Sequence, residues 1–78
     1  NYFDKIQVAE FKLESFDLNV GDTVLITGPT TGAIETIITE LHTGIGAVKT
    51  AKKGESCAFK LDTPIRSSDK LYKIVNNN

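Results

Sequence analysis

Leu18-Asn19-Val20-Gly21-Asp22-Thr23-Val24-Leu25-Ile26-Thr27-Gly28-Pro29-Thr30-Thr31-Gly32 decides how this chain folds. Gly21-Asp22 is a turn signal placed just before an apolar run. Four of the next five residues, Thr23, Val24, Ile26 and Thr27, are β-branched. Their stiff χ1 torsions suit a pleated strand better than a helix. On a strand, Val24 and Ile26 share one face and Leu25 takes the other. Gly28-Pro29-Thr30-Thr31-Gly32 then breaks the run, because proline removes a ladder donor and glycine permits a turn. The reading is therefore turn, strand, connection, strand.

The same signature continues outward. Nine Thr, eight Ile and five Val stand against five Ala, so strand is favoured throughout. In Ile6–Leu13, Ala9, Phe11 and Leu13 fall on one face, with Glu10 and Lys12 on the other. Ile6 and Val8 break this alternation, which predicts either two covered faces or a bulge at the start. Residues 33–41 carry Ile34, Ile37, Ile38 and Leu41 at helix-compatible spacing, but five β-branched residues in nine favour strand. Ile37 and Leu41 are then expected on one face, with Thr39 between them. Residues 43–54 read as a long irregular stretch closed by a tight turn at Lys52-Lys53-Gly54-Glu55. Cys57, Phe59 and Leu61 alternate toward one face, and Asp62-Thr63-Pro64 ends that strand. Residues 65–69 form a short connection into a last strand over 70–75, and Asn76-Asn77-Asn78 are expected to fray. The prediction is an all-β fold: a small closed antiparallel β-barrel of six strands (five to seven), since closure removes exposed edges.

Length and composition bound the function. The 78 residues are expected to form one domain over 1–78, with an ordered core at about 4–75. A chain this short buries only about 60–65% of its unfolded surface, so a large internal active-site cavity is not expected. With 40% hydrophobic and 24% charged residues, the chain is globular rather than disordered. No stretch approaches the roughly 20 apolar residues of a membrane span, and no secretory signal is expected. A cytoplasmic location is expected. One Cys excludes an internal disulfide, and the lack of Met suggests an excised piece of something longer. The net charge of −1 divides into −5 over residues 1–43 and +4 over 44–78. Lys49, Lys52, Lys53, Arg66, Lys70 and Lys73 are the candidate contacts for a partner or for RNA phosphate, with Tyr2, Phe3 and Tyr72 as stacking surface. The plainer reading of these charges is a solvated surface.

Few residues invite chemistry. Cys57 and His42 are the only thiol and imidazole. Cys57 belongs to the core-facing set, where a thiol packs as a small hydrophobe rather than a nucleophile. Ser15, Ser56, Ser67 and Ser68 lie at turns or strand ends, and no Gly-x-Ser-x-Gly elbow occurs. A structural zinc site needs four Cys or His ligands, twice what the chain holds. Gly28–Gly32 lacks the Gly-Lys-Ser/Thr of a phosphate loop, and Gly44-Ile45-Gly46 lacks the third glycine of a dinucleotide fingerprint. No catalytic, cofactor-binding or metal-ligating residue is expected. Leu25, Ile34 and Ile45 fall outside the simplest core and are candidates for a docking patch.

Three segments carry a family resemblance. Leu18–Gly28 resembles the "L-x-V-G-D-x-V-x-I-x-G" strand opening of domain II in translational GTPases of the elongation factor Tu type. Ala51-Lys52-Lys53-Gly54-Glu55 is similar to that domain's "A-x-x-G-[DE]" turn. Ile65-Arg66-Ser67-Ser68-Asp69-Lys70-Leu71-Tyr72 is similar to its closing "I-x-R-G-D-x-[LV]", with Ser68 in place of the glycine. Taken over residues 4–75, with Gly28–Gly32 included, the same segments look like the C-terminal domain of collagenase-like peptidases of family U-32. That resemblance implies a β-barrel accessory domain beside a larger catalytic domain, serving substrate or partner binding or docking. The family's Cys-rich and Glu-containing signature belongs to the larger domain, so no site residue carries over. An alternative implication is an RNA-contacting module of an RNA base-hydroxylating enzyme, since the family is also associated with that chemistry.

Overall fold

Alternating apolar residues need a second surface to bury against, and here the strands wrap around one shared core. The computed structural model describes residues 1–75; the expectation for residues 76–78 lies outside the described residues. Among the described residues ten strands form: β1 (Tyr2–Phe3), β2 (Val8–Lys12), β3 (Leu18–Asn19), β4 (Thr23–Gly28), β5 (Gly32–Ile37), β6 (Leu41–Thr43), β7 (Gly46–Val48), β8 (Thr50–Ala51), β9 (Ser56–Lys60) and β10 (Lys70–Ile74). They make three antiparallel sheets, ordered β1-β2-β9-β6-β7, β10-β4-β5 and β3-β8. The fold is all-β as expected, but the described ladders divide into three sheets instead of closing into one six-stranded ring. No helix of the described residues is long and apolar enough to cross a membrane.

Alternation selects much of the core, including Ala9, Leu13, Val24, Ile26, Cys57, Phe59 and Leu61. Ala9, Leu13, Leu18, Val24, Ile26, Ile38, Leu41, Ala51, Cys57, Phe59, Leu61 and Ile65 are buried, with Phe11, Phe16, Ile34 and Leu71 packed against them. Phe11 stacks on Phe59 at 5.9 Å between ring centroids, within the range favoured by aromatic pairs. Sheet β10-β4-β5 is held in register from Thr23↔Ile74 to Thr27↔Lys70 and from Thr23↔Ile37 to Gly28↔Gly32.

Three sequence expectations are corrected. Residues 33–41 are not one strand: β5 ends at Ile37 and β6 begins at Leu41. Gly21 N–H donates to the Ile38 carbonyl at 2.7 Å, while Ile38 N–H donates to the Asp22 carbonyl at 2.9 Å. Two residues thus oppose one, and such a bulge turns the chain. Ile38 enters the core and Ile37 is left 59% exposed, so Ile37 and Leu41 do not share the buried face. Residues 43–54 are also more regular than expected, holding the β6–β7 hairpin and β8. Gly46, at φ 109°, closes that hairpin in a conformation that a side chain rarely adopts. At the start, Ile6 is exposed and Gln7 sits at φ 53° in a turn whose N–H reaches the Asp4 carbonyl. The broken alternation there marks a β1–β2 turn and not a bulge.

Candidate functional site

The side chains with the most chemistry are kept apart by strand alternation. His42 on β6 lies opposite Ala58 on β9. Directly paired residues share a face, so the neighbouring Cys57 points the other way, into the core. His42 stays exposed, with Nε2 3.8 Å from Glu40 Oε1. Cys57 is 1% exposed, and burial, with Glu10 and Glu55 adding to it, pushes its thiol up to about 11 from 9.0. A thiol so placed is not a nucleophile at neutral pH. The raised value has a stability consequence. The unfolded chain ionises near 9 and the folded one near 11, so the contribution is full below pH 9 and lost between about 9 and 11. The loss is expected to be on the order of 2–3 kcal/mol. Unfolding by urea across pH 8–11 should show it, and Cys57→Ala should flatten that limb; an unchanged slope would refute the assignment.

Among the described residues, no group of three or more His, Cys, Asp or Glu side chains is placed to hold a metal ion. The acids serve structure instead. Asp22 Oδ2 accepts from the Asn19 N–H at 2.8 Å and lies 3.2 Å from Lys73 Nζ. Burial opposes its ionisation, but the Asn19 N–H and the Lys73 ammonium outweigh it, and its pKa is lowered. Asp17 accepts from the Lys53 N–H at 2.7 Å and pairs with Lys52 at 3.6 Å, while its carbonyl accepts from Lys73 Nζ at 3.2 Å. The Lys53 N–H is the main reason its pKa is lowered. Asp69, 7% exposed, accepts through Oδ2 from the Arg66 N–H at 2.9 Å and from the Thr31 hydroxyl. These two donors, the backbone one first, lower its pKa.

The candidate basic residues therefore divide. Lys52 pairs with the Asp17 carboxylate, and Lys73 reaches the Asp17 carbonyl and Asp22, whereas Lys53 meets Asp17 only through its main-chain N–H and its side chain is exposed. Lys49 is exposed between β7 and β8, and Arg66 and Lys70 are exposed around the turn into β10. The three motif segments are brought together as structural junctions: Asn19-Asp22 with Lys73, the Lys52–Glu55 turn with Asp17, and the Gly28–Gly32 connection with Asp69. Sequence reasoning gave Asp17 no role and read Asp22 and Asp69 only as parts of turn and motif segments, because an isolated acid carries no spacing signal.

Two surfaces remain. The outer face of β10-β4-β5 shows the rows Tyr72–Leu25–Glu35 and Ile74–Thr23–Ile37, with Tyr72, Ile74 and Ile37 exposed. The patch expected from Leu25, Ile34 and Ile45 does not form. Ile34 packs on the core and Ile45 sits 89% exposed at the β6–β7 turn, leaving Leu25 with Tyr72. The second surface is a groove of about 480 Å³ between β2 and β10, lined by Asn1, by residues 10–16 and by residues 67 and 69–72.

Comparison with known proteins now adds descent. No protein-family model matches the chain. It is 42% identical over 72 residues to a collagenase of Porphyromonas gingivalis, covering 92% of this chain and 20% of that protein. It is 40% identical over 72 residues to an uncharacterized protease of Methanocaldococcus jannaschii, covering 92% of this chain and 17% of the other. The chain thus spans about one-fifth of the length of the curated relatives it matches. Its fold matches a crystal structure of the C-terminal domain of a candidate U32 peptidase from Geobacillus thermoleovorans, with a TM-score of 0.87 at 18% identity. That match covers 96% of this chain and 85% of the other.

Proposed function

We propose that this chain, which is a U32-type C-terminal domain, is a non-catalytic accessory module that binds polypeptide and docks on a catalytic domain of the same protein. The observation that carries this is its 40–42% identity, over 92% of its length, to about one-fifth of proteins named for proteolysis. The placement of its only thiol, sealed in the core, agrees with it. The same reading takes the three sheets as an opened barrel of the translation-factor domain II kind. Val20 N–H donates to the Lys49 carbonyl at 2.9 Å and Gly21 N–H to that of Ile38, so one stretch serves two sheets. The apolar rows around Tyr72, Ile74 and Ile37 are the surface suited to a catalytic domain. An RNA role draws less support, because Lys52 and Lys73 already pair with Asp17 and Asp22.

The purified chain is expected to fold and to leave gelatin and fluorogenic peptides uncleaved over an overnight incubation. Hydrolysis that co-purifies with the chain and disappears when the chain is unfolded would overturn the accessory reading.

A further inference from the structure

We draw no further inference here: the strongest candidate, the apolar outer face of β10-β4-β5 together with the edge of β5 that carries no strand among the described residues, belongs to the docking surface already described, and nothing in the structure shows what would pair with that edge.

Discussion

Phe59→Ala is expected to cost about 3–5 kcal/mol, the range for removing a buried aromatic ring. The side chain is the largest of those fully buried, 1% exposed on the central part of β9. It sits opposite Ala9, whose small side chain cannot move in to fill the space, and it supports the stacked ring of Phe11. A domain of 78 residues is expected to hold only about 4–12 kcal/mol in total, so this single truncation removes a large share. At roughly 4–8 °C per kcal/mol for a domain of this size, the melting temperature should fall by at least about 12 °C. Phe3→Ala is the control: that ring is 42% exposed, and its loss should stay within about 0.5 kcal/mol. Thermal unfolding followed by circular dichroism measures both. A fall of under 4 °C for Phe59→Ala would mean the core is not centred on β9.

That centre was legible from residue order alone, because Cys57, Phe59 and Leu61 alternate without interruption. β4 was legible for the same reason, and the turns at 52–55 and 65–69 through their Gly and Asp residues. What period-two reading missed depends on contacts distant in sequence. Nothing in residues 33–41 announces the β4–β5 register, in which Ile34 lies opposite Ile26 and Ile37 opposite Thr23, so that Ile38 takes the core side and Ile37 the outer one. The strands within 43–54 are two or three residues long, too short to show alternation, and are fixed by their partners. The candidate lysines were found as residues, but their division between Asp17, Asp22 and solvent follows from the fold.

Gly28→Ala should be the other severe substitution, and its cause is space, not backbone torsion. Gly28 has no positive φ, unlike Gly54 at φ 95°. A Cβ built on Gly28 would instead coincide with the Asp69 carboxylate, whose buried Oδ1 has no hydrogen-bond partner and lies against the glycine. The carboxylate has little freedom to retreat, because its other oxygen holds the Arg66 N–H and the Thr31 hydroxyl. Overpacking of this kind typically costs about 1–3 kcal/mol, which for this domain is a melting shift of roughly 5–20 °C. The cause can be isolated by a double-mutant cycle, since groups in direct contact are non-additive. In an Asp69→Ala background the added methyl meets a vacated space, so Gly28→Ala should cost far less there than in the wild type. Acid titration supplies a second readout. The folded Asp69 is held below its ordinary 3.8, so its contribution is complete above that value and fades as pH falls through the lowered one. If Gly28→Ala displaces the carboxylate from its two donors, this acid limb should shrink in the single mutant and vanish with Asp69→Ala. Additive costs, with an unchanged acid limb, would show that the contact between these two motif residues, 41 positions apart in sequence, does not hold the β4–β5 connection to the turn before β10.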